Sequence, residues 1–271
     1  MTRTPGARVL AAALAAGALL ATAACSANGD GGARTASDAP ASPVAGTGRA
    51  PSPGRTLTAA GARAALVTEA DLEDDWSQVK GAERWRDRLL VGTVDVAAFL
   101  SGKSAASRCQ RLIDALYDND LLGKPEGASA LAGFQQGDSR LLYQVAAYDR
   151  GRLDDSLAWL KSMPVECDEF TVIDPSGARR TIQVTETALP KAGDARQGLH
   201  VTVQGRAAGD PATVSLGVAA VRVGTDAITV TAGGLDGFED DTVNTAVGQG
   251  AKRLKDVQAG RTPPATPGEV G

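Results

Sequence analysis

From Phe170 to Val230 the chain repeats one pattern that few folds accommodate: short segments in which apolar and polar residues alternate, separated by turn sequences. Ile182 and Val184 alternate with polar neighbours in Thr181 to Thr187. Leu199, Val201 and Val203 alternate with His200, Thr202 and Gln204, and Val214, Leu216 and Val218 continue the series before Ile228 and Val230. Turn sequences separate the segments at Asp174-Pro175-Ser176-Gly177, Gly209-Asp210-Pro211 and Gly224-Thr225-Asp226. A period of two places alternate side chains on opposite faces of a strand, and short turns make neighbouring strands antiparallel. The expected product is an antiparallel sheet with one packed and one polar face.

The segments before this run supply helices. Cys109, Leu112, Ile113 and Leu116 recur at the i, i+3, i+4, i+7 spacing of one helical face, with Ser104 as a cap. Thr58 is expected to cap a short helix reaching Val67, and Thr68 with Asp71 three residues later has the form of a second helical start. Two runs up to Tyr148 read as a strand pair around Gly137-Asp138. A helix through Leu153, Leu157 and Leu160 is expected to stop at Pro164. The last element is a helix from Asp241 to Gln258 with Val243, Val247, Ala251, Leu254 and Val257 as its apolar stripe, acids at its start and bases near its end. No clean alternation holds from Trp76 to Leu100. The expected fold class is α+β: a mainly antiparallel sheet with helices packed on one face, forming a single domain over residues 57–258.

The N-terminus constrains location. Arg3 and Arg8 precede an apolar run from Val9 to Ala24 that contains Gly17 and Thr22, and the small residues Ala23 and Ala24 lead into Cys25. The run is shorter than the roughly 20 apolar residues of a membrane-spanning helix. The motif Leu20-Ala21-Thr22-Ala23-Ala24-Cys25 resembles the lipobox of bacterial lipoproteins, in which the cysteine is lipidated and becomes the new N-terminus after cleavage. Thr22 stands where that pattern prefers Leu. An ordinary secretory signal cut after Ala21-Thr22-Ala23 and an uncleaved anchor are the competing readings.

Cysteine number bears on the choice. The chain has three, and acylation of Cys25 leaves an even pair. Cys109 lies on a core-facing helical stripe and Cys167 just after the next helix, so in an exported chain the two are expected to form an intramolecular disulfide. Closing a loop of this length contributes about 4 kcal/mol in the chain-entropy account. A redox pair would be spaced C-x-x-C.

On this reading residues 1–24 are a lipoprotein signal peptide, and residues 25–56 a tether dominated by Gly, Ala, Ser, Thr and Pro that buries too little to order itself. About 30 such residues span roughly 30 Å on average. Residues 259–271, with Pro263, Pro264 and Pro267, read as a loose tail. The net charge of -4 becomes -6 once Arg3 and Arg8 leave with the signal. An acidic chain offers no footprint for nucleic acid, and attachment to the cell membrane, on its extracytoplasmic face, would depend on the lipid at Cys25.

Candidate chemistry is sparse. There is no G-x-S-x-G elbow and no H-E-x-x-H motif. The single histidine, His200, falls on the polar side of a strand, where a solvated surface role is expected; catalysis there would need a nucleophile and an orienting group, and the sequence places neither Asp194 nor any serine beside it. Glu73-Asp74-Asp75 and Glu239-Asp240-Asp241 read as solvated loops or helix starts, against a carboxylate pair or calcium ligands. Asp118-Asn119-Asp120 begins like a calcium loop but lacks its Gly and distant Glu. Neither a cofactor nor a metal is expected. Trp76 and Trp85 lie in the least regular stretch, where a ligand wall is plausible, although core packing is the default for each; Trp159 reads as core.

The order of Ala65-Leu66-Val67-Thr68-Glu69-Ala70-Asp71-Leu72 before Trp76, Arg108-Cys109-Gln110-Arg111-Leu112, Pro164-Val165-Glu166-Cys167, Ala192-Gly193-Asp194-Ala195 and Val221-Arg222-Val223-Gly224 resembles the PknH-type extracellular sensor domain. That domain occurs on a mycobacterial serine/threonine kinase and in many actinobacterial lipoproteins. The resemblance implies an extracytoplasmic domain with a groove for a small ligand and no catalytic residues. It departs in one respect: that domain has a second disulfide, for which this chain has no cysteines. Nothing in these residues reads as a kinase domain, so a sensor of this kind would hand its state to a partner. Three functions follow as expectations. A tethered binding lipoprotein for a small or envelope-derived ligand needs a concave apolar pocket. An interaction module for an envelope protein needs an apolar patch or an unpaired sheet edge. A hydrolase needs polar groups converging on His200 or on an acidic pair.

Overall fold

Alternation along the strands determines what each face of the sheet must meet. In the computed structural model, which describes residues 56–72, 76–85, 103–173, 176–207, 210–235, 237 and 240–265, eight strands form one antiparallel sheet. In chain order they are β1 (Ser77–Val79), β2 (Ser129–Gln136), β3 (Ser139–Ala147), β4 (Glu169–Ile173), β5 (Arg179–Thr187), β6 (Ala195–Ala207), β7 (Asp210–Val223) and β8 (Asp226–Gly234). Their order across the sheet is β1-β2-β3-β8-β7-β6-β5-β4. The hairpins turn where the sequence placed them: Gly137 and Gly224 take positive φ, of 56° and 66°, at the β2–β3 and β7–β8 reversals.

Among the described residues four helices, α1 (Ala59–Ala64), α2 (Lys103–Asp118), α3 (Arg150–Glu166) and α4 (Asp240–Gln258), complete the expected α+β class. They do not share one face, as the sequence reading had it. Along β7, Leu216, Val218 and Ala220 pack with α2 and α3, while Ala219, Val221 and Val223 pack with α1 and α4. Successive residues point to opposite faces, so the helix pairs lie on opposite sides of the sheet. The α2/α3 layer reaches β4 through β7, whereas α1 and α4 cover β2, β3, β8 and β7. β7 therefore lies between the two layers and is buried without interruption from Leu216 to Val221, whereas on β3 Leu141 and Tyr143 face the α1/α4 layer and Leu142 packs under Ala82 and Trp85.

Each helical layer has its own tie. Cys109 of α2 and Cys167, the residue after α3, form the expected disulfide, with Cα atoms 5.7 Å apart and both residues buried. Arg108 beside it pairs with Glu166 and donates to Ser162 Oγ at 2.7 Å. Pro164 does not end α3. The helix runs on to Glu166, and the Cys167 N–H still donates to Met163 O at 2.8 Å. A proline three residues from the helix end removes a single bond, and the disulfide holds the turn that follows.

On the other face, Arg253 of α4 meets Asp71 at 3.1 Å, and the carboxylate side chain is only 2% exposed. Asp71 also accepts from the Thr68 N–H and hydroxyl, each at 2.8 Å, which is the helical start anticipated at Thr68. Arg253 further donates to the carbonyls of Ala64 and Pro264, at 3.2 and 2.9 Å. Beyond α4 the chain thus stays on the fold as far as Pro264. Beneath α4, Tyr143 is fully buried and its hydroxyl lies against Gly250, where an added Cβ would come within 2.0 Å of it. Burial drives the ionisation of that phenol far above its ordinary range.

Candidate functional site

The row of side chains facing α3 changes character at one end of the β5–β6 pair. Ile182, Val184, Leu199, Val201 and Val203 are buried beneath α2 and α3. Two residues further along the same face stand Glu186 on β5 and Gln197 on β6. Above them pass Leu157, Ala158 and Lys161 of α3, and Ala188 and Leu189 close the side as the chain leaves β5. These residues line an open recess of about 570 Å³, a volume within the range of small-ligand sites.

Glycines shape this end of the sheet. Gly198 lets Leu189 and the Thr187 carbonyl approach so closely that a Cβ would sit 2.9 and 2.5 Å from them. Gly193, at φ 66°, passes against the Arg222 carbonyl, where a Cβ would stand at 2.4 Å. Within the recess Gln197 is 7% exposed; its amide Nε2 donates to Gly198 O at 3.1 Å and to Glu186 Oε1 at 3.4 Å. Lys161, Glu186 and Arg196 are exposed at the rim, and Leu157, Leu189 and Ala195 provide apolar surface. Two cations and one carboxylate around an apolar floor suit a ligand with an apolar body and an anionic end. The recess presents no nucleophile paired with a base.

Two smaller recesses differ in chemistry. One, of about 310 Å³, lies between the start of α3 and residues 122–126; its charges answer one another, Arg152 pairing with Glu126 and Asp149 capping α3 by accepting from the Arg152 N–H at 3.0 Å. The other, of about 340 Å³, is mostly apolar and lies between α1 and the end of α4, lined by Leu57, Ala60, Val257 and Pro263 among others.

The residues singled out from sequence fall in separate places. Cys25 lies outside the described residues, as does the acidic run Glu73-Asp74-Asp75, with Glu239. Trp76 is 5% exposed and packs in the core under α1 and α4. Trp85 is half-buried on the opposite face, where it belongs with Ala82, Leu131 and Leu142, and Arg140 stands 5.4 Å from its ring. The sheet separates the two tryptophans, so they do not form one wall. Trp159 is core, with the Arg111 guanidinium 4.0 Å over its ring.

His200 sits on the other face of β6 in register with Thr185 and Gly217. Asp194 is tied to the β7–β8 turn, accepting from the Gly224 N–H at 2.7 Å and facing Arg222 at 3.7 Å. Asn119 takes φ 55° just after α2, and the Asp120 N–H donates back to Ala115 O at 2.9 Å, so Asp118-Asn119-Asp120 forms a helix end. Among the described residues no three His, Cys, Asp or Glu side chains gather as a metal site. The sequence reading missed the recess of Glu186, Gln197 and Lys161. Its available signal was Gln197, a polar residue in step with Leu199, Val201 and Val203 where the alternation calls for an apolar one.

The fold and recess define an α+β domain built on one antiparallel sheet with helices on both faces. No family model matches the chain, and no curated protein does. Among solved structures it is similar to the extracellular domain of PknH from Mycobacterium tuberculosis, at 12% identity and a TM-score of 0.41, covering 76% of this chain and 100% of that one. It is also similar to an uncharacterised protein from Mycobacterium smegmatis, the Rv0999 ortholog, at 16% identity and a TM-score of 0.30, covering 55% and 75%.

Proposed function

We propose that this chain is a non-catalytic lipoprotein of the extracytoplasmic membrane face, lipidated at Cys25, whose folded domain binds a small amphiphilic ligand. The observation that carries the location is the buried Cys109–Cys167 disulfide. Such bonds persist in oxidising compartments, and this one uses two of the three cysteines, leaving Cys25 as the odd thiol in its lipobox-like setting. No helix among the described residues is long and apolar enough to cross a membrane, and lipidation supplies an attachment of its own. Residues 25–56 then serve as the tether that holds the domain away from the bilayer.

The ligand reading rests on the recess at the β5–β6 end. Its floor of Leu157, Leu189 and Ala195 receives the apolar body, and Lys161 and Arg196 attract the anionic end. Trp85, half-buried beside Arg140, remains a second binding position; Trp76 contributes only through the core beneath it. A binding role, rather than hydrolysis, accords with His200 and Asp194 lying apart from the recess. One experiment tests both parts: mass spectrometry of the full chain recovered from membranes of an actinobacterial host, native and then denatured. A mature chain starting at a diacylglyceryl-modified Cys25 is expected, together with a further mass released on denaturation and reduced by Lys161→Ala with Arg196→Ala. Membrane retention of a Cys25→Ala chain with no lipid adduct would overturn the anchor. A released mass unaffected by the double substitution would overturn the recess.

A further inference from the structure

We infer that the outer edge of β4 is a pairing surface for a second copy of this chain. Register determines which backbone groups face outward. The Val184 N–H donates to Asp168 O at 2.9 Å, continuing by one step the register that sets Glu169 against Gln183 and Phe170 against Ile182. In an antiparallel ladder hydrogen-bonded pairs alternate with non-bonded ones, so Phe170 and Val172 bond to β5. Glu169, Thr171 and Ile173 accordingly turn their N–H and C=O groups away from it, toward a side on which, among the described residues, the sheet has no further strand.

Exposed edges are ordinarily blunted by proline, lysine, a bulge or a covering segment. β4 reads Glu-Phe-Thr-Val-Ile, without proline or lysine, and pairs with β5 without a bulge. Its one charge does not guard the edge, because the Glu169 carboxylate accepts from Gln183 Nε2 at 2.8 Å over the sheet surface. Val165, 84% exposed, lies just before the strand. The opposite edge is different: β1 has three residues, and the turn Ala82–Trp85 that follows it folds onto Gly133 of β2.

Symmetry selects the occupant. The outward set is centred on Thr171, so a two-fold axis there places Glu169 of one copy opposite Ile173 of the other, and every outward N–H meets a carbonyl. The same operation keeps like charges apart: Glu169 of each copy stands opposite Ile173 of the other, with the Arg179 in register with that Ile173 one strand further on. A parallel partner would set like against like. An edge this short gives a weak contact free in solution. Two copies anchored in one membrane are confined to a thin layer, which raises their effective concentration and favours pairing. That last step rests on the lipoprotein reading; the edge itself does not.

The test is disulfide trapping in the full chain. Thr171→Cys should give a product of twice the chain mass on a non-reducing gel, in membranes and in concentrated purified protein, and the product should vanish on reduction. Thr185→Cys, one strand inside the edge, should remain monomeric. Equal trapping at the two positions, or a Thr171→Cys product containing a different protein, overturns the inference. As a second measurement, Thr171→Pro removes only an outward N–H and should keep the melting temperature within a few degrees while weakening self-association at least tenfold by sedimentation. Unchanged association with an intact fold also overturns it. Trapping in solution without a lipid on Cys25 would sink the anchor and leave the edge standing. A lipidated chain that does not trap would do the reverse.

Discussion

The two helical layers solve the same problem by different means. Both must hold a pair of helices on a face of one sheet. The α2/α3 layer is closed by a covalent bond between Cys109 and Cys167, with the Arg108–Glu166 pair beside it near the surface. The α1/α4 layer has no covalent tie and relies on Arg253, which reaches Asp71, Ala64 and Pro264 together. A disulfide acts largely by restricting the unfolded chain, while a buried ion pair acts in the folded state at the cost of desolvating both ions. One layer should therefore respond to reductant and the other to loss of a single charge.

The largest expected effect breaks the ionic tie. Arg253→Met leaves the Asp71 carboxylate buried without its counter-charge and should cost about 3–5 kcal/mol in urea unfolding. Adding Asp71→Leu to that variant should recover most of the loss; if it recovers none, Arg253 acts through the Ala64 and Pro264 carbonyls instead. Next, replacing Cys109 and Cys167 together by Ala should cost about 2–4 kcal/mol, with hydrogen exchange rising first in α2 and α3. Faster exchange in α1 and α4 would show that the layers are not independent. Gly250→Ala should cost about 1–3 kcal/mol, because the new methyl overlaps the Tyr143 hydroxyl beneath α4.

The smallest effect is a pH dependence. Asp226, at the start of β8, has its pKa raised by burial, partly opposed by the hydrogen bond from Gln258. A carboxylate whose pKa is higher folded than unfolded lowers stability once it ionises, so its cost is present at neutral pH and fades as pH falls through the folded pKa. Asp226→Asn should thus raise the melting temperature slightly at pH 7, with the gain shrinking on acidification. A gain that grows in acid would contradict the assignment.

Local order was largely legible in the sequence because it depends on near neighbours. The strand alternation, the Thr58 cap, the Thr68–Asp71 start and the stripe of α2 all reappear in the fold. What failed to show was whatever depends on two distant segments meeting. β7 was read for Val214, Leu216 and Val218 alone, although its unbroken apolar run from Leu216 to Val221 marks a strand buried on both faces. That omission placed all helices on one side. Nothing local in Arg253 pairs it with Asp71. Trp76 and Trp85, nine residues apart, end on opposite faces because the chain crosses the sheet edge between them. The recess was hidden for the same reason: α3 supplies one wall, and its periodicity says nothing of which strands it will overlie.

The position of α1 has a mechanical consequence. Any tension arriving along the chain from before Thr56 loads this helix first, and α1 has six residues. Its grip on the body is the burial of Leu57, Ala62 and Ala65 in the core, the packing of Gly61 against Val257 and the reach of Arg253 to Ala64, whereas the disulfide lies on the far face, outside the first segment to bear load. Under a pull the domain should yield in stages, α1 peeling away as a soft extensible element while the bonded α2/α3 half keeps its shape.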